Sequence, residues 1–128
     1  VLTDPKTFAT GMVDVEIMDP ETEEVTAKAY KYAELVLGTS VEMKNLYVKS
    51  VYTTQSENDN SNGAMTLTCE VNGVTIDVRT IVLTDDNGNI ITADAYRGKT
   101  IDVKGIVDYF DGSYQIKVFS AKNINTIE

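Results

Sequence analysis

A-M-T-L-T-C-E-V-N-G-V-T-I-D-V-R-T-I-V, residues Ala64 to Val82, decides the fold. Met65, Leu67, Cys69 and Val71 alternate with Thr66, Thr68 and Glu70, which is the period-2 pattern of a half-buried strand. Asn72-Gly73 follows at once, a dipeptide that accepts positive φ at both central positions of a type I′ turn, so Val74 to Val82 folds back as a hairpin. With Val71 opposite Val74, Cys69 meets Ile76 and Leu67 meets Val78 on the apolar face, while Thr68 meets Asp77 and Thr66 meets Arg79 on the polar one. A slip by one residue would turn every apolar side chain to water, so hydrophobicity sets the register.

A second hairpin is built the same way, from Thr100 to Phe110 and Ser113 to Phe119 across Asp111-Gly112. Pairing Phe110 with Ser113 sets Tyr109 opposite Tyr114, Val107 opposite Ile116 and Gly105 opposite Val118, with Ile101 and Val103 on that face. A lone Gly105 inside a strand marks a tight bend or a close backbone approach. The opposite face mixes Asp102, Lys104, Asp108, Gln115 and Lys117 with Ile106, Phe110 and Phe119, and it calls for partial cover by the N-terminal segment or a neighbouring domain. Upstream, Val41 to Tyr52 changes phase near Lys44-Asn45, the mark of a β-bulge that bends one long strand to serve two sheets. Between the hairpins, residues 84–89 read as a turn, and Thr92 to Tyr96 as a short helix ending near Gly98.

The first 40 residues differ in texture. Met12 to Met18 alternates as a strand. Asp19-Pro20 then reads as an N-cap with proline at the first helical position, and Val25, Ala29, Tyr32, Ala33 and Val36 recur at helical spacing up to Gly38. Val25, Ala27 and Ala29 also alternate, so the competing reading is a hairpin that pairs Glu24 to Tyr32 with Met12 to Met18.

A bent strand, a hairpin, a short helix and a second hairpin follow the order of a mainly β, five-stranded OB-fold Greek-key barrel, with the helix between strands 3 and 4. Residues 1–37 form an N-terminal strand/helix extension packed on that barrel, and residues 38–128 the barrel itself. G-K-T-I-D-V-K-G-I-V-D-Y-F-D-G-S-Y-Q-I-K-V (Gly98 to Val118) resembles the closing hairpin of bacterial OB-fold domains of the nucleic-acid-binding type. The likeness extends over about Gly38 to Asn125. It implies an accessory module of a larger secreted or surface protein, extracellular or on the cell surface, of the kind attached to extracellular nucleases. A first residue that is Val1 and not methionine fits a piece of a longer chain.

Composition narrows the chemistry. The 128 residues carry 20 acidic and 11 basic side chains, a formal charge of −9, with no histidine and one cysteine. That excludes Ser–His and Cys–His nucleophile pairs, the HExxH zinc site and a disulfide framework. No apolar run approaches the roughly 18 residues a membrane span needs, so no membrane insertion is expected. Cys69 points inward and acts as a small hydrophobe. Asp102 and Asp108 alternate with core residues and show no apolar pocket that would split their pKa values, so catalysis is not expected. The loop Gln55 to Gly63 places Asn58, Asn60 and Asn62 at EF-hand positions, but Cys69 stands where the bidentate glutamate belongs. Asp85, Asp86, Asn87 and Asn89 offer oxygens that a turn uses equally well. Neither a metal nor a cofactor is expected.

OB-folds bind oligomers on the outer face of strands 2 and 3 and at the loops beside it. Here that face presents Thr66, Thr68, Asp77 and Arg79, with Tyr52, Tyr109 and Phe110 near the bordering loops. It reads either as a ligand-binding surface for a polar chain such as a polysaccharide or a partner protein, or as a plain solvated face rich in threonine. For Arg79, an ion pair with Glu70 or Asp77 is the simplest expectation. Nucleic acid is disfavoured, because the face is poor in flat rings and the chain is negative.

Overall fold

Both glycine-tipped hairpins form in the register their side chains dictate. The structure, a computed structural model, describes residues 2–55 and 62–127. Strands β4 (Met65–Val71) and β5 (Val74–Thr80) pair Val71 with Val74 through Thr66 with Arg79. Strands β6 (Thr100–Phe110) and β7 (Ser113–Val118) pair Phe110 with Ser113 through Ile106 with Lys117. Each tip has the two positive φ values its turn requires, 50° and 81° at Asn72-Gly73 and 51° and 82° at Asp111-Gly112.

The long strand β3 (Ser40–Thr53) pairs with β6 through its first half and with β4 through its second. Its register slips between Met43 and Leu46, where Asn45 adopts φ 63° and its N–H donates to Asp102 Oδ1 at 3.0 Å. A bulge therefore sits where the phase changes, and Asp102 holds it. Parallel pairing of Val78–Thr80 with Ile116–Val118 closes the cylinder in the order β3-β4-β5-β7-β6-β3, the Greek-key order of an OB-fold. Met43, Leu46, Leu67, Ile76, Ile101 and Ile116 fill its interior. Between β5 and β6, one 3-10 turn at Ala93–Ala95 is the expected short helix, and buried Tyr96 behind it joins the core with Leu83. A short strand β8 (Ile124–Thr126), unforeseen in the sequence, adds to β6 at Ile101–Val103.

The extension departs from the helical reading of residues 19–37. After β1 (Met12–Met18) the chain turns and returns as β2 (Val25–Lys31), pairing Met18 with Val25 through Met12 with Lys31. Only Tyr32–Leu35, α2, is helical. Asp19-Pro20 starts a turn, with Asp19 Oδ1 accepting from the Glu21 N–H at 2.8 Å and Glu23 at φ 59°. The same dipeptide does start a helix at Asp4-Pro5. There α1 (Pro5–Thr10) is capped by Asp4 Oδ2 accepting from the Thr7 N–H at 3.1 Å. The difference lies in the residues beyond each proline. Phe8 gives α1 an apolar anchor, whereas Glu21, Thr22, Glu23 and Glu24 give a helix nothing to bury.

α1 packs against β5 and α2, and buried Phe8 and Ala33 belong to the same hydrophobic cluster as the barrel interior. On the mixed face of β6 and β7, Phe110 and Phe119 remain exposed, so the N-terminal segment does not cover those two rings.

At Gly105 an added Cβ would come within 2.5 Å of the Lys117 carbonyl oxygen and 2.6 Å of Ile116 Cγ2. Backbone cannot yield as a side-chain tip can, so Gly105→Ala is expected to cost about 1–3 kcal/mol, read as a lowered thermal midpoint. Lys104→Ala, at an exposed neighbour, should leave the midpoint nearly unchanged.

Candidate functional site

A groove of about 540 Å³ crosses the outside of the barrel over the ends of β3, β4, β5 and the β6–β7 hairpin. Its layout follows from register. Tyr52 pairs with Thr66, Thr66 with Arg79, and Arg79 with Lys117, so four strands set these side chains in one row on the outer face. Tyr52 and Phe110 line the groove and are 65% and 68% exposed.

Arg79 is held in place by neutral partners. Its Nη1 donates to Thr66 Oγ1 at 3.1 Å and its Nη2 to Thr54 Oγ1 at 2.8 Å. The expected ion pair with Glu70 or Asp77 does not form. Glu70 is engaged by Lys49 at 2.9 Å instead. Two hydroxyls orient the guanidinium, and among the described residues no carboxylate forms an ion pair with it, so its charge can serve a ligand. Gln115 Nε2 donates to Asp108 Oδ2 at 2.9 Å, setting an amide and a carboxylate beside Lys117 in the same groove.

Seven residues were candidates on sequence grounds, and the fold divides them. Tyr52, Thr66, Arg79 and Phe110 come together. Thr68 lies two pairs further along, opposite Asp77, and outside the groove. Asp77 faces a second concavity of about 510 Å³, walled by α1 and the β6–β7 tip. Tyr109 is paired with Tyr114, ring centroids 4.8 Å apart, and does not line the groove. Sequence reasoning missed Thr54, Asp108, Gln115 and Lys117. The signal for Lys117 was its phase on the second hairpin, but its place beside Arg79 depends on a parallel pairing between strands distant in sequence.

The remaining polar candidates have structural roles. Asp85 Oδ1 accepts from the Asn87 and Asn89 N–H groups at 2.8 and 3.0 Å, closing the turn. Asn58 and Asn60 of the EF-hand-like loop lie outside the described residues. Among the described residues no three His, Cys, Asp or Glu side chains gather as a metal site, and no helix is long and apolar enough to cross a membrane. The chain matches no protein-family model, and no curated protein is significantly similar to it.

Desolvation raises the pKa of Cys69 and Asp77, as it does of Tyr96 and Tyr114. The Cys69 thiol, fully enclosed in the barrel, is pushed up to about 12, chiefly by desolvation. It should therefore resist iodoacetamide at pH 8 in the folded protein and react once the chain is unfolded in guanidinium, as mass spectrometry would register. Asp77 is raised above the ordinary carboxylate range, again by desolvation. A raised carboxyl favours the fold when protonated and opposes it when ionised, so its stabilising contribution is lost as pH rises through its folded value. Asp77→Asn should raise the thermal midpoint at pH 7, and the gain should vanish near pH 3.

Proposed function

We propose that the chain is a noncatalytic OB-fold binding module that grips an extended, uncharged polar chain, a polysaccharide, in the groove between Tyr52 and Phe110. One observation carries this reading: two exposed rings share a groove with a guanidinium that two hydroxyls orient and that, among the described residues, no carboxylate pairs. Flat rings suit the apolar faces of sugar rings. The polar groups between them include donors, at Arg79 and Lys117, and an acceptor-only carboxylate at Asp108. Hydroxyl groups donate and accept, so they satisfy both kinds, whereas a phosphate only accepts and is repelled by Asp108. The formal charge of −9 opposes a polyanion over the rest of the surface.

Among the described residues a single carboxylate lines the groove, and that favours binding over hydrolysis, because glycoside cleavage uses a pair of carboxylates flanking the bond. The resemblance of Gly98 to Val118 to exported bacterial modules supports placing it as an accessory domain of a larger extracellular or surface protein. A second reading, a single-stranded nucleic-acid binder supporting an attached nuclease, draws on the adjacency of Arg79 and Lys117 to the two rings.

Titration calorimetry with β-1,4-linked hexasaccharides of glucose, xylose and N-acetylglucosamine, and with a thymidine dodecamer at 50 and 200 mM salt, separates the two. At least one hexasaccharide should bind with little salt dependence, and Tyr52→Ala should weaken it by about 1 kcal/mol, roughly fivefold. Binding of the oligonucleotide alone, falling steeply with salt, would replace the polysaccharide with nucleic acid.

A further inference from the structure

We infer that the binding track does not end at Lys117 but runs on around the barrel to a second subsite at Phe119, so that its ligand is a long linear chain and not a short oligomer. This rests on the polysaccharide reading of the groove. The row of paired residues that lines the groove continues without a break: Lys117 pairs with Ile106 and Ile106 with Ser40. Lys117 lines the first groove, and Ile106 and Ser40 line a second concavity of about 330 Å³ on the far side of β6. The Lys117–Ile106 pair therefore spans from one hollow to the other, with one of its residues lining each.

Phe119 walls the second hollow and is 52% exposed. The Lys117 ammonium lies 5.7 Å from the centre of its ring, so one lysine reaches from the first groove to the aromatic of the second. The polar make-up also repeats. Glu42 and Lys104 supply an acceptor and a donor beside the ring, as Asp108 and Arg79 do in the first hollow. The same hydroxyl-bearing chain therefore meets equivalent partners along its length. Four inter-strand steps separate Tyr52 from Ile106, an arc of about 19 Å at roughly 4.8 Å per step, which a disaccharide does not span and a hexasaccharide does.

The test compares the three hexasaccharides with their disaccharides on wild type, Tyr52→Ala and Phe119→Ala. Both rings are exposed, so both variants should keep the wild-type thermal midpoint. Phe119→Ala is expected to weaken the hexasaccharide roughly tenfold and leave the disaccharide unchanged, whereas Tyr52→Ala weakens both. A hexasaccharide affinity within twofold of wild type in Phe119→Ala, with Tyr52→Ala still impaired, overturns the second subsite and leaves the groove reading standing. Equal weakening of both ligands by Phe119→Ala also overturns the extended track. Failure of every hexasaccharide to bind wild type overturns the groove reading, and the track with it.

Discussion

Three parallel residue pairs, Val78–Thr80 against Ile116–Val118, join the two hairpins into a cylinder. Parallel pairing is slightly weaker per residue than antiparallel and cannot be made by a tight turn, so this closure draws on the packing around it. Val78, Ile116 and Val118 are all buried in the barrel, and their burial stabilises what the short ladder alone would not. The same three pairs put Arg79 beside Lys117 on the outer surface. Closure of the core and construction of the groove are thus one event viewed from two faces of a sheet.

Because the ladder is short, the first half of β5 has no strand beside it on that edge. α1 packs there, and Phe8 reaches the hydrophobic cluster. This places Asp77 next to the extension, and desolvation raises its pKa. The polar outer face of the first hairpin is therefore divided into an open part, with Thr66 and Arg79, and a part partly covered by α1, with Asp77.

What the sequence disclosed was local. Asn72-Gly73 and Asp111-Gly112 fix their turns through backbone chemistry, and the alternation on either side leaves one register, so both hairpins could be read pair by pair. The Asn45 bulge was legible because a phase change in the hydrophobic pattern has few other causes. The extension was harder, since Asp-Pro begins a helix only where an apolar residue soon follows; it does so at Phe8 and not after Pro20. The groove was half visible. Tyr52, Thr66 and Arg79 belong to adjoining strands, but Lys117 and Gln115 arrive through the nonlocal closure, which no spacing along the chain encodes. That omission made the surface look more acidic, since among the described residues the groove holds two cations against one carboxylate.

The seat of Phe8 bears on the order in which the molecule assembles. Each hairpin can zip from its own turn within microseconds, while β3 must reach β6 across more than fifty residues, the kind of distant pairing that slows folding. A ribosome releases α1 before any of the strands that will surround Phe8 exist. The seat that buries its aromatic ring is built from β5 and the barrel cluster, all of it made later in the chain.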